Sequence, residues 1–278
     1  MQICKRISAC LLSTVIYLVP WVLAHAQPRE ESSLCSNANV ELVGKHFHLD
    51  KFVYPEWGAL ENGGLIVAGV CKPWPTNKSR VIAAFAYNAG GEYEKTLVIA
   101  VIDTRTNQIV TAYKSTIQED SALTVGEKSL RIDTARYDIA PGVRAFGIDI
   151  TNSYHQGCVD GGLDTERTLY VPDHKTLRPV LKLYAISYWS YIQGGNPRCG
   201  APEDIAVIIE NVGLTLEMNN AVTNGYRDIV VKGSSSRDDG KPTGKGEFSY
   251  VLRYDGSEYP TDRMSQAFEK WNVWIRKP

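Results

Sequence analysis

The chain has 278 residues, of which 44% are hydrophobic and 22% charged, with a formal net charge of −1. Those fractions are ordinary for a folded protein and exclude wholesale disorder. The near-neutral balance supplies no field for nucleic acid or an anionic membrane, so neither is expected as a partner.

The chain opens on an export pattern. Lys5 and Arg6 precede the apolar run Ala9–Leu23, and Ala24-His25-Ala26 stands before Gln27. A positive start, a short hydrophobic stretch and an A-x-A site read as a signal peptide over residues 1–26. The run falls short of the about 20 residues that span a bilayer, so cleavage without a remaining anchor is expected. The remaining 252 residues carry 28 basic and 31 acidic groups, and their expected destination is a bacterial periplasm or the exterior. Four cysteines follow the leader: Cys35, Cys71, Cys158 and Cys199. In an oxidising compartment an even count reads as two disulfides, with three pairings open. The pairs 35–71 and 158–199 are favoured because each brackets one contiguous stretch. No C-x-x-C pair is present to begin a zinc site.

Residues 27–39 are polar and read as a flexible lead-in, and 40–278 as a single β-rich domain with a sub-lobe over 203–278. His46-Phe47-His48-Leu49-Asp50 comes first. If extended, it would place His46, His48 and Asp50 on one face, a candidate zinc or copper set. The competing reading is an edge strand burying Phe47 and Leu49. Beyond it, Leu65–Val70 is apolar and ends at Lys72-Pro73-Trp74-Pro75. Val81–Tyr87, Thr96–Ile102 and Gln108–Lys114 read as a meander, turned by 88–91 and 104–107. Leu97–Ile102 has no polar face and is expected in mid-sheet.

Further strands are expected at Ser129–Thr134, Val143–Ile150, Thr168–Val171 and Leu177–Tyr184, the last extended by Ala185–Ile192. The segments Gly157–Asp164 and Gly194–Gly200 are glycine-rich and each holds a cysteine. Tied together they would form a rigid rim at one end of the sheet. Ile205–Asn211, Leu214–Met218, Arg227–Lys232 and Phe248–Tyr254 continue the strand pattern, with 233–242 read as an exposed mobile loop. Only the tail looks helical. Met264, Phe268, Trp271 and Ile275 recur at helical spacing after Thr261-Asp262, so this stripe should lie on the sheet. The sum is a mainly β, antiparallel, multi-stranded sandwich, irregular barrel or partial propeller with a short C-terminal helix.

Asn220 to Val231, containing Asn224-Gly225, is followed by Tyr250 to Tyr259, containing Asp255-Gly256. An Asn-Gly turn into a strand, then a tyrosine-rich hairpin, resembles the single FG-GAP-like module that closes many bacterial exported proteins. The likeness covers about 40 C-terminal residues. It implies a calcium position at Asn220, Asn224 and Asp228, although calcium-binding members alternate carboxylates there and this chain keeps only Asp228. A type I′ turn at Asn224-Gly225 accounts for the same residues.

No G-x-S-x-G elbow, H-E-x-x-H or phosphate-binding glycine loop is present, so no catalytic residue and no cofactor is assigned. The expected function is that of a non-enzymatic periplasmic or secreted binding protein with a protein partner in the cell envelope. In general style the chain is similar to exported inhibitors or immunity proteins that neutralise toxins or lysozyme-like enzymes. Contact residues are sought among aromatic and charged positions near turns: Trp74, Tyr154, Tyr191, Arg198, Arg237, Asp238 and Asp239. The alternative is a secreted hydrolase of peptidoglycan or polysaccharide using paired carboxylates, with Asp103, Asp149, Asp160 and Glu210 as candidates.

Overall fold

A computed structural model describes residues 35–55, 65–120, 123–153, 157–200, 202 and 204–272. The leader, Tyr154 and Ile275 lie outside that range. The described residues are mainly β, as expected: among them eleven strands form one mostly antiparallel sheet that does not close into a barrel.

Helix α1 (Asn37–Phe47) precedes the strands β1 (Ile66–Trp74), β2 (Asn77–Tyr87), β3 (Glu94–Asp103) and β4 (Gln108–Gln118). Then come β5 (Leu130–Ala140), β6 (Val143–Thr151), β7 (Gly161–Asp173) and β8 (Thr176–Gln193). The chain ends with β9 (Ile208–Thr223), β10 (Tyr226–Arg237), β11 (Phe248–Leu252) and helix α2 (Asp262–Asn272). The strand order β1-β2-β3-β4-β8-β7-β6-β5 folds into two four-stranded layers. Their inner faces share one core, built from Ile82, Ala84, Leu97, Ile99, Val101, Phe146, Ile148 and Ile150 among others.

Alternation explains why the layers stack. In β3, Leu97, Ile99 and Val101 face that inner core, while Val98, Ala100 and Ile102 face a second core under α1. The apolar run is therefore buried on both faces, as its lack of a polar side predicts. The second layer repeats the arrangement. In β7, Tyr170 points inward, while Leu169 and Val171 face a third core shared with β9–β11 and α2. The stripe Met264, Phe268 and Trp271 lies on that core, and Phe268 stacks on Tyr188 with centroids 4.9 Å apart. Strands β9–β11 and helix α2 thus share a core with β5–β8.

Three local departures from the sequence reading have clear causes. His46–Asp50 is not an extended strand. His46 lies in α1, and His48 caps it in the left-handed region at φ 52° with its N–H turned back to Gly44 and Lys45. The alternation that would have aligned His46, His48 and Asp50 is therefore lost. Among the described residues no group of three or more His, Cys, Asp or Glu side chains could hold a metal. Residues 37–39 open α1, with the Ser36 hydroxyl accepting the Asn39 N–H at 3.3 Å, while Cys35 is tied to Cys71 in β1. Residues 233–237, assigned from composition to a mobile loop, form the end of β10 and pair with 210–214 of β9.

The second layer carries a buried ionic network on its outer face. The Arg167 guanidinium donates to both oxygens of Asp149, at 2.6 and 2.8 Å, and lies 2.5 Å from Asp133. It also donates to the Tyr137 hydroxyl at 2.7 Å, which in turn donates to Asp133 at 2.7 Å. Arg131 completes the set by contacting Asp149. Gly147 makes room beneath it, because a Cβ there would sit 3.2 Å from the Asp133 Cβ and 3.3 Å from the Arg167 side chain.

The two layers meet at one seam through a single parallel bridge, Ala112–Thr176. Past it β4 and β8 part. Pro179 has no N–H to extend a ladder, and the carbonyl of Val180 is taken by the Tyr259 N–H at 2.7 Å. The resulting cleft, about 290 Å³, is lined by Tyr113, Ser115 and Ile117 on one side and Pro179, Lys182 and Leu183 on the other. Glu166 lies in it, and burial, reinforced by Asp120, raises its pKa. An unfolded glutamate titrates near 4.3. With the folded value higher, its protonated form favours the fold at low pH, and that contribution is lost as pH rises through the folded value. Glu166→Gln should therefore raise the melting temperature at pH 7 and leave it unchanged at pH 3.5, read by parallel thermal scans.

Candidate functional site

The sequence-expected rim exists. Cys158 and Cys199 form a disulfide with Cα atoms 5.3 Å apart, and Cys35 and Cys71 form the other at 5.0 Å. Both pairs are those favoured from the sequence. The loop after β8 turns through Gly194 and Gly195, both at positive φ, into a short 3-10 turn, Pro197–Cys199. Buried Asn196 fastens this loop to the one before β7. Its side chain accepts the Arg198 N–H at 2.9 Å and donates to the carbonyls of Gly157 at 2.6 Å and Val159 at 3.0 Å. The Tyr191 N–H adds a bond to the Asp160 carbonyl at 2.7 Å. A disulfide and four hydrogen bonds thus fix two loops that glycine content alone would leave pliable.

Beside this rim lies an open groove of about 420 Å³, lined by Asp164, Ser187, Tyr188, Trp189, Tyr191, Asn196, Arg198 and Asn211 among others. Its floor follows from strand geometry. Ser187, Trp189 and Tyr191 alternate along β8 and so share a face, and the β9 residues paired with Trp189 and Tyr191 are Asn211 and Ile209. Asp164 enters from an irregularity in the β7–β8 register, between Leu163 and Thr165. There its carboxylate accepts the hydroxyls of Ser187 and Thr165, each at 3.2 Å. Trp189 and Tyr191 meet edge to face at 5.4 Å and both are part-exposed. Tyr188 turns toward α2, and burial, helped by Glu166 and Glu269, pushes its phenol up to about 12, so it stays protonated at neutral pH. Arg198 is exposed at the mouth, and among the described residues no carboxylate lies within salt-bridge distance of its guanidinium.

Of the seven expected contact residues, Tyr191 and Arg198 belong to this groove. Trp74 does not serve as a surface contact: it is buried, edge-on to Phe146 at 5.6 Å, with its N–H given to Thr76. Arg237 and Asp239 form a two-point ion pair at 2.9 and 2.7 Å, and Asp238 accepts the Ile209 N–H at 3.1 Å, closing the end of the β9–β10 ladder. Tyr154 lies outside the described residues. Asp164, Ser187 and Asn211 were missed in the sequence because strand register brings them in. A signal existed only for Asp164, in its glycine-rich segment.

Two of the three residues tied to calcium, Asn224 and Asp228, hold partners within the hairpin. Asn224 and Gly225 both sit at positive φ in the β9–β10 turn, Asn224 donates to the Tyr254 carbonyl at 2.9 Å, and Asp228 accepts the Thr223 hydroxyl at 2.7 Å. Asn220 lies nearby on β9. The tyrosines of this hairpin surround Arg178, which donates to Tyr254 and Tyr226, each at 2.9 Å.

The candidate hydrolase carboxylates do not assemble. Asp103 is bound by Arg105 in the β3–β4 turn, and Asp149 lies within the Arg167 network. Glu210 pairs with Lys245 at 2.9 Å, and Asp160 sits in the rim loop. None of the four lines the groove. No known family model matches the sequence, and comparison with curated proteins and solved structures found no match.

Proposed function

We propose that the protein is an exported, non-enzymatic binding protein whose rim groove holds a protein partner in the periplasm or outside the cell, as an inhibitor or immunity protein would. The observation that carries this reading is the groove itself. Trp189, Tyr191 and the exposed Arg198, which has no carboxylate partner among the described residues, stand together on a frame fixed by a disulfide and Asn196. Tryptophan, tyrosine and arginine dominate the energetics of protein interfaces, above all where they are held in place beforehand. The two disulfides fit an oxidising compartment, and the leader-like N-terminus supports export. Among the described residues no helix is long and apolar enough to cross a membrane.

The test is retention from envelope extract on the immobilised, processed protein. One protein should be retained by the native chain and lost from a Trp189→Ala/Arg198→Glu variant that melts at the same temperature. Identical retention by both, or none by either, would overturn the proposal.

A further inference from the structure

The seam between β4 and β8 holds a feature separate from the rim groove. Ala112 gives its N–H to the Lys175 carbonyl at 3.2 Å and receives the Thr176 hydroxyl at its own carbonyl. Its backbone therefore faces away from β3. The β3–β4 register runs without a shift from Thr111 to Gln118. By the two-residue period the backbone groups of Lys114, Thr116 and Gln118 face the same way. Among the described residues none of these N–H or C=O groups has a hydrogen-bonded partner.

This row of open backbone borders the cleft between the layers. Tyr113, Ser115 and Ile117 line its β4 wall, Leu97, Ile148, Ile150 and Tyr170 line its floor, and Leu183 stands 62% exposed at its lip. An unpaired strand edge asks for another extended backbone. Glu166, Thr168 and Lys182 also line the cleft, but its exposed lining is mostly apolar, which asks that alternate side chains of that backbone be apolar. Across the cleft from this edge stand Pro179, Lys182 and Leu183 of β8. The side chains of Lys114, Thr116 and Gln118 are exposed, and Thr116 and Gln118 also border the cleft.

We infer that this seam is a strand-addition site. It takes an extended segment of another protein, about five residues long, with apolar side chains at alternate positions. The segment bonds to Lys114, Thr116 and Gln118 and sets its apolar side chains over Ile117, Ile148 and Ile150. It would supply the strand missing between β4 and β8.

The probe is a fluorescein-labelled seven-residue peptide that alternates valine and threonine between terminal lysines. Its anisotropy should rise saturably with the full processed protein. The amides of Lys114, Thr116 and Gln118 should exchange fast in the free protein and slow when the peptide is bound. Thr116→Pro removes one outward N–H from an edge, where proline is tolerated, and should weaken binding at least tenfold with the melting temperature unchanged. If that variant melts lower, Ser115→Arg, which fills the cleft, should give the same loss. Absence of saturable binding, or equal binding by the correctly folded variants, would overturn the inference. So would slow exchange of these amides in the free protein: if concentration-independent, the chain's own segment covers the edge, and if it grows with concentration, a second copy does. Loss of the rim-groove partner leaves this result unchanged, because the two surfaces use different residues.

Discussion

Replacing Arg167 by Met should cost the fold about 3–5 kcal/mol, the range for breaking a buried ion pair by removing one partner. Asp149 is fully buried, and Arg167 supplies both of its parallel charge-assisted bonds while also holding Asp133 and Tyr137. With Arg167 gone, the cation left to Asp149 among the described residues is Arg131, whose side chain is 62% exposed and gives weaker compensation. The loss should therefore follow burial. Arg131→Met should cost about 1 kcal/mol or less, while Arg167→Met/Asp149→Leu should recover much of the single-variant loss by leaving no uncompensated charge. Urea unfolding midpoints measure all three. An Arg167→Met chain within 1 kcal/mol of the native one would contradict this account of the second layer.

The second large effect is expected at the rim. The Cys158→Ser/Cys199→Ser variant opens a covalent loop spanning 41 residues in sequence, and removal of such a link costs about 2–4 kcal/mol. Its consequence for binding should exceed its consequence for the fold. Trp189 and Tyr191 lie on β8, which the β7 and β9 ladders hold on both sides, whereas Asn196 and Arg198 lie in the segment between the end of β8 and Cys199, where the link is the covalent anchor. The variant should remain folded at 25 °C and lose the partner. Removing Cys35 and Cys71 instead should lower stability by a similar amount while the partner is kept, because that disulfide anchors α1 on the far side of the first layer. Paired unfolding curves and retention assays separate the two effects.

Much of the fold was legible because alternation and turn chemistry agreed with it. Leu97–Ile102 advertised a strand buried on both faces, Asn224-Gly225 a tight hairpin, and Met264, Phe268 and Trp271 a helix laid on the sheet. Where the reading failed, local composition was overruled by tertiary pairing. Gly161-Gly162 and Ser234-Ser235-Ser236 look like loops, yet a neighbouring strand holds each in the ladder, Ser190-Trp189 in one case and Val212 to Gly213 with Asn211 in the other. Helix α1 carried a helical signal in Val40, Val43 and Phe47. Two histidines beside Phe47 and Leu49 also fitted a strand, and a left-handed His48 hides the stop that a glycine would have marked. The groove was half legible. Tyr191, Arg198 and the cysteines stood out in the sequence, but Asn211 and Ile209 joined them only through the β8–β9 register.

The claim that the rim groove is a working surface is tested most directly by photo-crosslinking in living cells. A photoreactive phenylalanine analogue would replace Tyr191 or, as a control, Tyr93, which is 62% exposed in the β2–β3 turn. The account predicts one discrete protein adduct from position 191 and none from position 93. No adduct from 191, or the same adducts from both positions, would contradict it.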